Sequence, residues 1–307
     1  PYVEVGLQPQ ARTLDEVSVE ENAQSLLRTN QHPGVHTVDP FRLETLATTG
    51  QGGIMQALKL LPGIGAANEG AGGKADQNLV LFDGFTIYHI DHVYGIFDAI
   101  NADAVKHIRM YKGGFPARYG NRISSVVDIT GKDGNRSAFK GLVGADFMSL
   151  RARLESPLGR KTSALITGRH SFTQFLHEDL YQEVFNTFFT SGTRNHRISE
   201  NIAEAVSLQP RVRFYDMNAR IVHHTDHAGT LTGSFFTGAD DLQIHEENQQ
   251  GSNSYYLDEH SAWGNTGAAL NWYKPWSQRH ESNLDVSYSS YKGSSAFDER
   301  FVFGQGH

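Results

Sequence analysis

The chain of 307 residues has no cysteine, 9 prolines and no uninterrupted run of about 18 apolar residues. Zero cysteine is compatible with an oxidising compartment and equally with simple drift in composition. The missing apolar run excludes a transmembrane helix, but not a membrane barrel, whose strands need only about ten residues of alternating polarity. A basic excess is also missing, since the formal net charge is -7. This argues against a general nucleic-acid binder.

Glycine and aromatic residues are abundant, with 31 glycines, 12 tyrosines and 18 phenylalanines. This mixture favours extended segments joined by tight turns over helices around a large core. The chain starts at Pro1 in mid-pattern and without a signal peptide. We therefore expect a processed or truncated start.

From about residue 138 onward, polarity alternates along runs of roughly ten residues. In the clearest run, 283–289, Leu284, Val286 and Tyr288 lie on one face and polar residues on the other. The runs 265–273 and 214–223 behave in the same way. A period of two predicts strands with one apolar face, as in a soluble sandwich or an outer-membrane barrel.

Loop lengths favour the barrel over the sandwich. Short turns are predicted at 156–159, 224–229 and 274–276, and long connections at 172–210, across 240–261 and after Lys292. Such alternation is typical of barrels with periplasmic turns and external loops. A helix is expected around 177–189 in the first long connection, and the aromatic cluster Trp272, Tyr273 and Trp276 suits a membrane interface.

Only about six strands fit before His307, too few to enclose a lumen with contents. A plugged barrel of about 22 strands would need several hundred more residues. The chain is therefore expected to be a fragment.

Residues 45–135 predict a small mixed α/β domain. A helix over 52–61 ends at Pro62-Gly63, and a buried strand over 78–82 enters a turn at Asp83-Gly84. A helix-to-strand passage over 101–112 and a strand over 124–130 follow.

Four blocks of this half resemble the plug of TonB-dependent receptors in order: 61–64, 78–84, 111–120 and 124–129. The segment 167–172 is similar to one that these receptors place at the second barrel strand. The chain resembles the Bacteroidota-type receptors that have an N-terminal carboxypeptidase-regulatory-like domain. Residues 2–9 resemble the last strand of that domain. The family usually carries a longer stretch where this chain has only 69–75, so we expect residues to be absent there.

The resemblance implies a transmembrane antiparallel β-barrel, partial here, with the mixed α/β plug in its lumen. The implied domains are 1–13, the end of the carboxypeptidase-regulatory-like domain; 14–44, a TonB-box-like segment and linker; 45–135, the plug; and 136–307, the first barrel strands. The plug motif comprises Asp83, Gly84, Lys112, Gly113, Gly114, Tyr119 and Gly120.

The implied function is active import of an unidentified nutrient across the outer membrane. Leu14, Asp15, Glu16, Val17, Ser18 and Val19 resemble the segment that adds as a strand to TonB. Expected partners are TonB with its inner-membrane motor, lipid and lipopolysaccharide, and not nucleic acid. An outer-membrane lipoprotein partner is left open, because the chain lacks the signature of SusC proper after Asp83-Gly84. The alternative is a receptor or assembly scaffold without transport.

Arg118 and Arg122 flank the tyrosine–glycine turn of the plug motif. They could dock on barrel-wall carboxylates, with Asp146, Asp216 and Asp285 as candidates, or they could be solvated surface arginines. Arginine–carboxylate pairs would fix the orientation of the plug.

Two histidine-containing patterns could indicate a metal site or a hydrolase. His223, His224 and His227 cluster at a turn, but loop histidines without a cysteine or carboxylate at ligand spacing are usually solvated, so no metal or other cofactor is expected. His170-Ser171 would suit a hydrolase, but neighbours on a strand point to opposite faces and form no proton relay. No enzyme activity is expected.

Overall fold

A computed structural model describes residues 27–29, 34–38, 54, 58, 77–93, 97–120, 122–146, 148–173, 209–250 and 253–303. These residues are mostly β-strand and form a small N-terminal domain and a large antiparallel sheet. In those ranges, no helix combines the length and the apolar character needed to cross a bilayer. Residues 1–26 and the predicted helix at 177–189 lie outside the described residues.

In the described part of the small domain there are eight strands and the 3-10 turn that precedes the seventh of them. These are β1 (Leu27–Thr29), β2 (Val35–Val38), β3 (Asn78–Phe82), β4 (Phe85–Thr86), β5 (Asp91–His92), β6 (Phe97–Asp98), the 3-10 turn (Ala102–Ala104), β7 (Val105–Lys112) and β8 (Ser125–Gly131). Six of them form one sheet in the order β1-β2-β7-β8-β3-β4, in which β3 and β8 are parallel. This sheet starts upstream of residue 45, because β1 and β2 come from the segment predicted as linker.

The core of the small domain lies against this sheet. Ile108 and Ile129 on the paired strands β7 and β8 are fully buried. Residues 54 and 58 are helical, and Ile54 and Leu58 are buried in the same cluster. Their spacing of four places both side chains on one helix face. The predicted strands and the strand-to-turn passage at Asp83-Gly84 are confirmed.

The large sheet, which we call the wall, is a meander of seven antiparallel strands. These are β9 (Lys140–Ala145), β10 (Ser149–Pro157), β11 (Thr162–Ser171), β12 (Gln209–Thr225), β13 (Gly229–Gln250), β14 (Asn253–Pro275) and β15 (Glu281–Val302). Short turns at 158–161, 226–228 and 276–280 join strands at one end, which we call the lower end.

The two faces of the wall differ in polarity, and the predicted alternation is confirmed. One continuous row across six strands is entirely apolar: Leu154, Ile166, Ala219, Phe235, Ala268 and Tyr288. Phe235 and Tyr288 of this outer face are 39% and 61% exposed. The inner face carries buried polar residues such as Arg169, Asp216 and Asn265.

The small domain packs on the polar face of the wall, not on the apolar one. Asp216, for example, lies opposite His92 of the small domain. Across the described ranges, no second sheet covers the apolar face. This arrangement is the reverse of a soluble sandwich, in which apolar faces meet, and the sandwich alternative is therefore wrong.

The wall has seven strands, not the six predicted. The run near 139–154 reverses at Asp146 and forms both β9 and β10. The Asp146 carboxylate accepts hydrogen bonds from the Met148 and Ser149 backbone N–H groups at 2.9 and 2.7 Å. These hydrogen bonds stabilise a turn within a stretch whose alternating polarity predicts a single strand.

The predicted long loops across 240–261 and after Lys292 are wrong. Strands β13 and β14 pair without interruption from Gln250↔Asn253 down to Thr230↔Tyr273, and β15 continues to Val302. Apolar alternation ends near the row of Tyr215, Ala239, Gly264 and Lys292, but the backbone ladder does not. We call the parts of β12–β15 beyond this row the overhang.

Candidate functional site: the interface between the small domain and the wall

The most buried part of the interface is a histidine–carboxylate cluster. His92, 1% exposed, lies with its Nδ1 2.6 Å from the Asp240 Oδ2 of β13 and its Nε2 3.6 Å from the Asp216 Oδ2 of β12. Asp240 also accepts a hydrogen bond from the Val93 backbone N–H at 3.1 Å. Burial by itself lowers the pKa of His92, but the charge of Asp240, the hydrogen bond with Asp240 and the nearby Asp216 carboxylate raise it overall.

Arg169 of β11 completes this cluster. Its Nε donates to Asp216 Oδ2 at 2.6 Å, and its Nη2 donates to the Asp98 carbonyl of the small domain. The guanidinium lies over the rings of Phe97 and Phe214, at 5.7 and 5.4 Å from their centroids. A buried arginine held in this way fixes the position of the small domain through hydrogen bonds, stacking and charge together.

A second charged contact holds the 3-10 turn. Asp103, 3% exposed, lies 2.9 Å from Arg153 Nη1 and 3.1 Å from Arg151 Nη1, both on β10. The Asn101 side-chain oxygen accepts from the Asp103 N–H at 3.0 Å and fixes the turn that presents the carboxylate. One carboxylate between two arginines is well compensated for its burial.

A third charged contact lies at the β3–β4 hairpin. Asp83 and Gly84 both have positive φ, 48° and 92°, the combination that a two-residue hairpin turn requires and that Asp-Gly supplies. Asp83 Oδ2 lies 2.5 Å from Arg220 Nη1 of β12, and Arg220 Nε lies 3.1 Å from Asp133. Although burial raises the pKa of Asp133, its hydrogen bond to Lys106 and the charge of Arg220 hold it below its usual value.

The loop after β4 is held through its backbone. The Asn265 amide of β14 accepts from the Tyr88 and His89 N–H groups at 3.1 and 3.2 Å, and donates to the His89 carbonyl at 2.7 Å. Ser289 Oγ of β15 accepts from the Thr86 N–H at 2.8 Å. These bonds do not depend on the side chains of the loop.

One aromatic side chain enters the wall itself. Phe85 is fully buried, and its ring lies 6.4 Å from that of Phe236. A Cβ at Gly267 would lie 2.1 Å from the Phe85 ring, so only glycine permits this approach. The apolar core of the small domain therefore continues into the wall here. A second apolar cluster joins Val93 and Phe97 of the small domain to wall residues that include Phe214.

The predicted docking arginines bond within the small domain. Arg118 Nη2 donates to the Tyr119 hydroxyl at 2.7 Å, and Arg122 Nε donates to the Asn78 carbonyl at 3.1 Å. Their role in docking stays a prediction that these contacts do not support. At the observed arginine contacts the charges are reversed, because Arg151, Arg153 and Arg220 lie on the wall and their carboxylates on the small domain.

The three candidate wall carboxylates have different roles. Asp216 contacts the small domain, as predicted for a wall carboxylate, but through His92. Asp146 caps its own turn, and Asp285 accepts from Asn271 and Asn283. Asp216 thus contacts His92 of the small domain and Arg169 of the wall.

The plug motif residues mostly build the β7–β8 connection rather than the interface. Gly113 has a φ of 78° and donates to the Ser124 carbonyl at 3.3 Å. The Tyr119 hydroxyl donates to Asp128 at 2.9 Å, and burial together with the charge of Asp128 raises the pKa of Tyr119. The remaining members Lys112, Gly114 and Gly120 lie at the end of β7 and in the bends after it.

Other sequence candidates are also placed. Residues 14–19 lie outside the described residues. His170 is exposed on the outer face, whereas Ser171 is buried on the inner face and accepts from the Phe214 N–H, so the two side chains form no relay. His223 and His224 bond to Thr162 and Thr230 respectively.

Sequence reasoning did not identify His92, Asp240, Asp83 or Asp103 as docking residues. The sequence does contain an indication for Asp240. Several of the alternate residues that face inward on its strand are polar, and Asp240 falls on one of these inward positions. His92 and Asp103 lie in short irregular segments, where no periodicity shows which way a side chain points.

Solved structures similar to this chain include outer-membrane receptors. A mutant of the ferric enterobactin receptor PfeA of Pseudomonas aeruginosa, in complex with enterobactin, is 16% identical, with a TM-score of 0.42, over 84% of this chain and 42% of that one. The siderophore receptor PirA of Acinetobacter baumannii is 14% identical, with a TM-score of 0.46, over 86% and 45%. The alcaligin outer-membrane receptor FauA of Bordetella pertussis is 11% identical, with a TM-score of 0.37, over 90% and 59%.

The chain thus spans about half the length of these receptors. No family model matches it, and no curated protein matches it. At these identities and TM-scores, the similarity by itself assigns neither ligand nor activity to the chain.

Proposed function

We propose that this chain forms the plug and part of the barrel wall of a TonB-dependent transporter in the outer membrane. The observation that carries the proposal is the reversed polarity of the wall. Its apolar face is exposed, while its polar face holds a folded domain through buried ion pairs such as His92–Asp240 and Asp103–Arg153. Such a sheet is stable where lipid covers the apolar side.

The extent of the apolar face suits a bilayer. On β12 the outward residues Tyr215, Met217 and Ile221 are each about two-fifths exposed. On the adjacent β13 the outward positions from Leu231 to Ala239 carry no charge, and this span matches the roughly 9–11 residues that a tilted membrane strand needs. At the lower end, Trp272 and Trp276 lie beside the short turns, where an aromatic belt at the membrane surface belongs.

Transport would require the small domain to move or rearrange within the barrel. Several of its contacts with the wall are charged or polar, and water can replace such contacts once they open. Residues 14–19 would pair with TonB as an added strand and transmit the inner-membrane motor force to the small domain. The cargo is an unidentified nutrient.

The finer assignments belong to the same proposal. We assign 1–13 to the end of a carboxypeptidase-regulatory-like domain of the Bacteroidota type, 14–44 to the TonB-box segment and linker, 45–135 to the plug and 136–307 to the barrel. Within 14–44, the strands β1 and β2 join the sheet of the plug. A complete barrel would have about 22 strands. Lipid and lipopolysaccharide would contact its outer face, and an outer-membrane lipoprotein partner is left open.

Deleting residues 14–19 in the native bacterium tests the transport role. We expect the variant to reach the outer membrane in normal amount but to lose growth on the limiting nutrient, measured against wild type and a null strain. A receptor or scaffold without transport would tolerate the deletion, and normal growth would therefore reject the proposal. Immunoblots of outer-membrane fractions control for the amount of protein.

A further inference from the structure

The described basic residues of the overhang lie on its outer face, whereas its carboxylates lie on both faces. In the described parts of the overhang and in the row at its base, every arginine, lysine and histidine occupies a strand position whose side chain points to the outer face of the wall. These residues are Arg211, Arg213, His245, His260, Lys292 and Arg300. Arg213 and Arg300 bond there to Asp241 and Asp298.

The inner face carries carboxylates instead. Glu259 and Glu299 alternate with the outward residues Asp258 and Asp298 on the same strands, and so point inward. Leu257 and Ser261 lie two positions before and after Glu259, so their side chains point to the same face. They are only 6% and 7% exposed, which identifies that face as the inner one.

Aromatic side chains surround these carboxylates. Near the small domain, Tyr88 lies 6.2 Å from Tyr291, and His89 lies 4.9 Å from Trp263, measured between ring centroids. These contacts join the loop after β4 to the base of the overhang. They form the floor of the space that the inner face borders.

Higher on the overhang, aromatic and acidic residues share the same rows. Phe297 pairs with Glu259 across the strands, and the Tyr255 ring lies 4.7 Å from that of Phe301. The Tyr255 hydroxyl lies 3.4 Å from Glu299 Oε1. Tyr88, Tyr291 and Phe297 are 51%, 46% and 61% exposed, so their rings are available to a ligand.

We propose that this inner face binds an organic cation with an apolar part, which deepens and rests on the proposed transport function. Exposed aromatic faces attract cations through the negative potential of the ring, and the two carboxylates supply complementary charge. Exposed apolar side chains that lie together, as Tyr88 and Tyr291 do, mark interaction sites.

An anionic ligand would find the opposite environment. It would meet the carboxylates of Glu259 and Glu299, while the described basic residues of the overhang point away from it. Like-charge contacts of this kind oppose binding and select against the wrong partner.

Two tricyclic aromatic probes of opposite charge test the proposal: the cation proflavine and the anion anthracene-9-carboxylate. Equilibrium dialysis would use the purified protein in phosphatidylcholine nanodiscs, with binding to empty nanodiscs subtracted. We expect saturable binding of proflavine and at least about tenfold weaker binding of the anion. Equal or tighter binding of the anion, or no saturable binding of proflavine, would overturn the proposal.

Neighbouring residues provide matched controls. Glu299→Gln and Glu259→Gln should each weaken proflavine binding about tenfold, whereas Asp298→Asn and Asp258→Asn, one position away on the outer face, should leave it unchanged. Equal effects of the inner and outer substitutions would show that the dye reports general surface charge, and the site would be rejected.

The result can be separated from a failure of the proposed function. A protein that inserts into the outer membrane and needs residues 14–19 for growth, but prefers the anion, would disprove only the ligand class. A protein found outside the membrane would disprove the transporter itself, whatever the dyes show.

Discussion

The interior of the small domain and its interface with the wall are held together by different forces. The interior is an apolar cluster around Phe82, Ile108 and Ile129. The interface has two apolar contacts, Phe85 on Phe236 and the cluster of Val93 and Phe97 with wall residues such as Phe214, and several buried charged contacts beside them. Hydrophobic burial alone keeps the domain folded as a unit, while its position on the wall also depends on charged contacts that water can replace.

The largest expected effect is on the interior. Ile108→Ala removes a fully buried side chain from the core of the small domain and should lower its free energy of unfolding by about 3 kcal/mol. Thermal unfolding of the purified protein would measure this loss. Ile123→Ala, at a side chain 79% exposed, is the control and should have little effect. Similar losses from both would show that the interior is not the main source of stability.

A smaller effect is expected at the interface. Asp240→Asn keeps the shape of the side chain but removes the charge that faces His92, and should favour local opening by about 2 kcal/mol. Amide hydrogen exchange at residues 91–93 would detect the opening, while exchange in β7 and β8 should stay slow. Asp241→Asn, next in sequence but on the outer face, is the matched control. Faster exchange throughout the domain would contradict the separation of interior and interface.

The smallest effect concerns pH. Because the pKa of His92 is raised above its ordinary value of 6.5 in the docked state, its contribution is fully present below that value and is lost as pH rises through the raised pKa. Exchange at 91–93, corrected for the intrinsic pH dependence of amide exchange, should therefore accelerate on the alkaline side of pH 6.5. His92→Gln should remove this dependence, and an unchanged pH profile in that variant would show that another group is responsible.

The strands of the wall could be predicted from the sequence where one face is apolar and the other polar, because the polarity then alternates with a period of two residues. Leu284, Val286 and Tyr288 were placed on the correct face, because one side of their strand is apolar throughout. The overhang was mistaken for loops, since both of its faces are polar enough to hide the period while backbone bonding continues.

The interface was harder to predict, because it depends on which irregular segment faces which strand. Asp103 is positioned by a single 3-10 turn, and its partners Arg151 and Arg153 lie 48 and 50 residues later. A pattern local to the sequence contains no information on such a pairing. The plug motif was recognisable because it forms turns, which depend on nearby residues such as Gly113.

The Asn265 clamp separates attachment from recognition in the loop after β4. The Asn265 amide bonds only to main-chain groups of Tyr88 and His89, so substitution of those two side chains leaves these hydrogen bonds intact. Evolution could thus exchange the residues that face an incoming molecule without loosening the loop that presents them. Related chains would be free to diversify in cargo at these two positions while an asparagine at the equivalent of 265 stays fixed.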